Sequence, residues 1–200
     1  MLKPIVMNFA SLDFSQQYSF ADYLKWSFEE RLEIIKGKLF KMSPAPHPNH
    51  QVLSVEIARE LATFLKGRSC KVYTAPFDVR LPRKSSRDED ILTVVQPDLC
   101  IVCDPKKVDD RGCLGAPDIA IEILSPGNNK KEMSDKFAVY QESGVKEYWL
   151  FMYKEKFCLQ YTNHFEGYYY AMRPLTVADV LQTPVLPGFE LDLAEVFRLV

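Results

Sequence analysis

Two short apolar runs in this chain are each marked by a single acid. Pro97-Asp98-Leu99 leads into Cys100-Ile101-Val102, and Ile119-Ala120-Ile121-Glu122-Ile123-Leu124 carries Glu122 among apolar neighbours. Runs of this length and composition read as buried β-strands. An ionised carboxylate is costly to bury without a partner, so two acids on two core strands call for a shared counterion. A hard divalent cation would serve both, because Mg²⁺ is commonly held by one or two carboxylates and water. The fold must therefore bring two strands together with their acids convergent.

The chain has 200 residues, 47% of them hydrophobic and 26% charged, which fits one globular domain over 1–200 with a proper core. A formal net charge of -2 gives no overall electrostatic footprint for nucleic acid. Local basic clusters do occur: Arg80, Arg83, Lys84 and Arg87; Lys106, Lys107 and Arg111; Lys130 and Lys131. Such clusters read most simply as solvated loop and helix edges. Residues 1–10 lack the basic start and apolar stretch of a secretory leader, and no window approaches the ~18 apolar residues of a membrane span. The five cysteines (Cys70, Cys100, Cys103, Cys113, Cys158) are odd in number and irregular in spacing, which suits free thiols and a cytoplasmic setting. Cys100 and Cys103 imitate a metal-binding pair, but three residues apart on a strand they point to opposite faces and read as small buried hydrophobes.

Periodicity predicts a helix from Ser19 to Leu32, then a hairpin over Glu33 to Met42 turning at Lys36-Gly37. A Pro-rich connector over Ser43 to Pro48 precedes an amphipathic helix from about Asn49 to Lys66, with Val52, Val55, Ile57, Leu61, Phe64 and Leu65 as its apolar stripe. Val72 to Leu81 alternates as one half-buried strand, with Asp78 and Arg80 on its polar face. Pro82 to Asp90 and Lys106 to Gly115 read as polar loops around the Asp98 strand. After the Glu122 strand come a helix over Lys130 to Ser143, a strand over Tyr148 to Met152, and a hairpin of Phe157–Tyr161 with Tyr168–Met172. A strand–helix–strand step of this kind predicts a parallel crossover, hence an α/β fold with a mixed sheet.

Lys136 supplies the third chemical element. It lies within the stripe of Met133, Phe137 and Tyr140 on its helix, so its side chain either snorkels outward or reaches the carboxylate pair beneath. In the second case it would orient a water and balance phosphate charge. Ser125 has no His–Asp couple flanking it, and Ser125-Pro126 reads as a turn.

The succession Val95-Gln96-Pro97-Asp98-Leu99, then Arg111-Gly112, Gly115-Ala116-Pro117-Asp118, Glu122-Ile123-Leu124-Ser125-Pro126 and Gly144-Val145-Lys146-Glu147-Tyr148-Trp149 is distinctive. Together with Arg31-Leu32-Glu33-Ile34-Ile35 and Pro187-Gly188-Phe189, it resembles the Uma-type family of restriction-endonuclease-like proteins. That bacterial group is a branch of the PD-(D/E)XK nuclease superfamily. The resemblance implies a restriction-endonuclease-like αβββαβ core, here with an N-terminal helix–hairpin and a C-terminal β-extension. It implies Asp98 and Glu122 as catalytic metal ligands, with the Ile123 carbonyl as a third, for Mg²⁺ or Mn²⁺. The superfamily pattern places a lysine two residues after the glutamate, where this chain has Leu124, and Lys136 is the natural replacement. Glu33 and His50 match positions typical of the family and would complete the pocket. The function so implied is metal-dependent hydrolysis of DNA, approached through the Arg80–Arg87 and Lys106–Arg111 loops, with a homodimer suited to cutting both strands. The alternative is a nuclease-derived module that binds DNA or assembles with protein without catalysis.

Overall fold

A computed structural model of the chain describes residues 8–42, 47–124, 130–163 and 167–200, with the side chains of 130–132 set aside. In chain order the elements are α1 (Phe20–Tyr23), β1 (Leu32–Ile35), β2 (Lys38–Lys41), α2 (Pro48–Leu65), β3 (Lys71–Thr74), β4 (Val79–Arg80), β5 (Val94–Val95) and β6 (Leu99–Val102). There follow β7 (Val108–Asp109), β8 (Gly112–Leu114), β9 (Ile119–Leu124), α3 (Lys130–Ser143), β10 (Glu147–Met152), β11 (Phe157–Asn163) and β12 (Tyr169–Ala171). The chain closes with β13 (Leu175–Thr176), β14 (Val180–Gln182), β15 (Glu190–Asp192) and α4 (Leu193–Arg198).

The central sheet runs β12-β11-β10-β9-β6-β3, with β13 also paired to β11. It is mixed: β9 is antiparallel to β6 but parallel to β10, and α3 makes the crossover between β9 and β10. Alternation sorts its side chains onto two faces. Leu99, Ile101, Ile119, Ile121, Ile123, Trp149 and Phe151 pack on one side against α2 and α4. Cys100, Val102, Ala120, Leu124, Tyr148 and Leu150 pack on the other, against Val139 and Tyr140 of α3. That second core is shared with a further sheet, β2-β1-β5-β4-β8-β7, through Ile35, Val79, Val95 and Cys113. The outer face of this sheet carries Leu32, Ile34 and Val94 and is covered by Tyr18, Phe20 and Ile91.

Several expectations need correction. The helix expected from Ser19 to Leu32 shrinks to α1, capped by Ser19 and Asp22. Beyond it, Tyr23, Trp26 and Phe28 pack ring against ring rather than as a helical stripe. The strand expected over Val72 to Leu81 is two strands in two sheets, β3 and β4. Arg80 is accordingly fully buried, paired with Asp109, rather than lying on a solvent face. The loop expected over Lys106 to Gly115 contains the short pair β7–β8. The buried stripe of α2 is Leu53, Ile57, Leu61 and Leu65, while Val52 and Val55 are exposed, because strict four-residue spacing selects the first set. Cys70 and Cys103, expected as free thiols, form a disulfide. Continuing the β3–β6 register one step past Lys71↔Val102 sets those two residues opposite each other. Cys100, Cys113 and Cys158 are free and buried. The hairpin holds as expected: β1 and β2 turn through Lys36 and Gly37, both at positive φ. The Ser43–Pro46 part of the connector and the Ser125-Pro126 turn lie outside the described residues.

Candidate active site

The site forms where β6 begins and β9 ends. Leu99 pairs with Ile121, and continuing that antiparallel register one step places Asp98 opposite Glu122. The Asp98 Oδ2 accepts the backbone N–H of Ile123 at 2.7 Å and lies 3.2 Å from His50 Nε2. His50 reaches it because it is three residues before Leu53, at the N-terminal end of the buried stripe of α2. The His50 Nδ1 is buried without a partner among the described residues.

Glu122 shares its face of β9 with Ala120 and Leu124, so it meets α3. Its Oε1 accepts from the Lys136 ammonium at 3.0 Å and from the Tyr140 hydroxyl at 3.2 Å. The two donors are one helical turn apart, the spacing that aligns side chains on one helix face. Lys136 therefore points into the protein, 6% exposed, rather than snorkelling to water. Its ammonium also lies 3.0 Å from Glu33 Oε1, which accepts the Gln96 backbone N–H at 2.7 Å. Alternation along β1 sends Leu32 and Ile34 to the outer core and Glu33 inward, where its Oε2 is buried without a hydrogen bond.

These contacts set the electrostatics. Burial pushes the Glu122 carboxyl up to about 8, the Asp98 and Glu33 charges add to the rise, and Lys136 opposes it. Burial works against the Lys136 charge, but Glu122 and Glu33 outweigh it and hold the ammonium well above its ordinary range. Burial and the Glu122 charge likewise raise Tyr140, which stays a neutral donor. Lys136 is thus a fixed positive charge, unsuited to act as a base at neutral pH.

Among the described residues no group of three or more His, Cys, Asp or Glu is gathered to hold a metal ion. The two acids nevertheless offer a smaller donor set. Asp98 Oδ2 and Glu122 Oε1 are taken up by protein donors, while Asp98 Oδ1 and Glu122 Oε2 accept no hydrogen bond from described residues. One unused oxygen on each of two carboxylates at opposed register positions fits a Mg²⁺ or Mn²⁺ that keeps most of its waters, and does not fit a cage built wholly of protein ligands.

Of the residues identified from sequence, Asp98 contacts His50 and the Ile123 N–H, while Glu33 and Glu122 share Lys136. Sequence reading missed Tyr140, which it treats only as part of an apolar stripe; a tyrosine four residues after a buried lysine carries a hydroxyl that must find a partner. Gln96 was missed as well. Its backbone serves Glu33, while its side chain joins Arg31 to Asp78 and touches Tyr23. Most cations of the two expected DNA-facing loops are engaged within the chain: Arg83 on Glu142, Arg87 on Asp90, Arg111 on Asp88, and Lys107 on the Ala116 carbonyl. A second link joins the β1–β2 turn to α3, with Lys36 Nζ 2.6 Å from Glu142 beside a cleft of about 250 Å³.

Comparison with known proteins places the chain. A family model described as "Uma2: Putative restriction endonuclease" matches residues 20–194. The chain belongs to the Uma2 family. Its fold is similar to that of a solved structure described as a putative nuclease belonging to DUF820 from Anabaena variabilis ATCC 29413, with a TM-score of 0.72 and 18% identity over 91% of this chain and 98% of that one. It is also 22% identical over 131 residues to the uncharacterized protein slr1290 of Synechocystis sp. (strain ATCC 27184 / PCC 6803 / Kazusa). That match covers 64% of this chain and spans 65% of the length of the relative. The α/β, restriction-endonuclease-like fold and membership of a PD-(D/E)XK-related nuclease family are thereby established. No helix among the described residues is long and apolar enough to cross a membrane.

Proposed function

We propose that this Uma2-family chain is one restriction-endonuclease-like domain that hydrolyses DNA phosphodiester bonds in the cytoplasm with Mg²⁺ or Mn²⁺. The observation that carries this reading is the asymmetry of the two acids: each has one oxygen fixed by protein donors and one left unused, at the same end of the sheet. Asp98 and Glu122 would hold the ion, with the Ile123 carbonyl as a third ligand. When bound, such an ion polarises a phosphoryl oxygen and lowers the pKa of an attacking water.

The remaining groups act through their own geometry. The Ile123 N–H and His50 hold Asp98 Oδ2 and so orient its other oxygen. Glu33 anchors Lys136 beside Glu122, and the ammonium would stabilise the charge that builds on the phosphate. Two such sites in a homodimer would act on the two strands of a duplex. The test is Mn²⁺ binding by calorimetry paired with cleavage of duplex DNA. The reading expects micromolar to millimolar Mn²⁺ affinity lost in Asp98→Ala, together with metal-dependent cleavage; DNA left intact across a range of duplexes with Mn²⁺ bound would sink it.

One observation favours a second reading, a non-catalytic module for DNA binding or protein assembly. The internal pairing of the loop cations leaves few of them to neutralise phosphates, so DNA affinity would be modest.

A further inference from the structure

We infer that Tyr140 is a positioning residue for Glu122, the group that fixes the orientation in which its carboxylate presents the oxygen left unused; the inference rests on the metal-site reading above. The Tyr140 hydroxyl and the Lys136 ammonium converge on one oxygen, Oε1, at 3.2 and 3.0 Å, and no described residue donates to Oε2. A lysine alone would satisfy the charge of the carboxylate without fixing its plane, because one donor leaves the carboxyl group free to turn about its broad terminal torsion. A second donor one helical turn away, held by a rigid ring, removes that freedom.

Packing makes the ring rigid. Tyr140 is fully buried, and its ring centroid lies 5.0 Å from that of Tyr148. A phenylalanine would fill the same space, so packing alone accounts for the ring and not for the hydroxyl. The hydroxyl is aimed at a carboxylate that already has an ion-pair partner. Hydrogen-bonded partners of this type behind a metal ligand are commonly worth 10–100-fold in affinity.

The test compares Tyr140→Phe with Tyr148→Phe, which also loses a buried hydroxyl in the same layer but has no hydrogen bond to Glu122. In the metal-free protein, the ¹³C-carboxyl signal of Glu122 should shift in Tyr140→Phe and stay in place in Tyr148→Phe. Mn²⁺ affinity measured by calorimetry should fall about 10-fold in Tyr140→Phe and less than twofold in Tyr148→Phe. Equal effects of the two variants on either readout would reduce Tyr140 to a packing residue and overturn the inference. If the parent protein binds no Mn²⁺, the metal-site reading fails, and an unmoved Glu122 signal in Tyr140→Phe would fail the positioning claim separately. Should Tyr140→Phe not fold, 3-fluorotyrosine at position 140 keeps the hydroxyl in place, strengthens it as a donor through one small ring substituent, and should shift the same signal.

Discussion

Two buried glutamates sit on adjacent parallel strands and are treated in opposite ways. Glu147 pairs in register with Ile119, and Glu122 pairs with Leu150, so the two acids lie three residues apart along the same ladder. Glu147 is closed off. Its Oε2 accepts from Trp149 Nε1 at 2.7 Å and Gln160 Nε2 at 3.1 Å, and its Oε1 accepts from the Thr183 hydroxyl at 2.7 Å. All three donors are neutral and both oxygens are used. Glu122 instead has two donors on one oxygen, one of them a cation, and a second oxygen without any. A buried acid is not itself a sign of chemistry; an acid whose partners leave one oxygen over is the better indicator.

The sharpest way to break this contrast is to remove each acid. Glu122→Ala should abolish Mn²⁺ binding and lower cleavage by about 10³-fold or more, whereas Glu147→Gln should leave both near the parent level. Matched losses in a calorimetric and cleavage assay would erase the distinction. Lys136→Ala should come next, slowing cleavage ~10²–10³-fold while Mn²⁺ affinity changes only a few-fold. For Glu147→Gln the loss should appear in chemical unfolding instead, at about 2–3 kcal/mol, since three buried donors lose their charged acceptor.

A pH series sharpens the comparison further. The Glu122 carboxyl is raised from 4.5 to about 8 by burial, so the folded metal-free protein binds a proton more tightly than the unfolded chain. The stability this contributes is full below pH 4.5 and is lost as pH rises toward 8. Glu122→Gln should flatten that slope in metal-free unfolding curves. The smallest effect belongs to the partly exposed Lys36–Glu142 link, where Glu142→Gln should cost no more than about 1 kcal/mol.

Much of this contrast was legible in the sequence, and the reasons are local. Glu122 stood out because every neighbour in its strand is apolar, and Lys136 because it interrupts a helical stripe. Glu147 was hidden: it precedes its apolar run, Tyr148 to Met152, and looks like an ordinary polar boundary until Thr183, 36 residues away, folds onto it. The division of Val72 to Leu81 between two sheets was equally invisible, because alternation reports which face a side chain takes and not which sheet its strand joins. The Cys70–Cys103 bridge escaped for a related reason. Only the β3–β6 register makes the two residues partners, and spacing along the chain carries no trace of it.

The two links between the β1–β2 hairpin and α3 have opposite polarity. Glu33 on β1 meets Lys136 on the helix, and Lys36 in the turn that follows β1 meets Glu142 on the helix. The order is the same along both, Glu33 before Lys36 and Lys136 before Glu142, so the charges match when the hairpin strand and the helix run side by side in the same direction. Docked end for end, the hairpin would set acid against acid and base against base. The hairpin and the helix therefore form a keyed joint that closes in one orientation only, and the orientation it selects is the one that delivers Glu33 to the lysine.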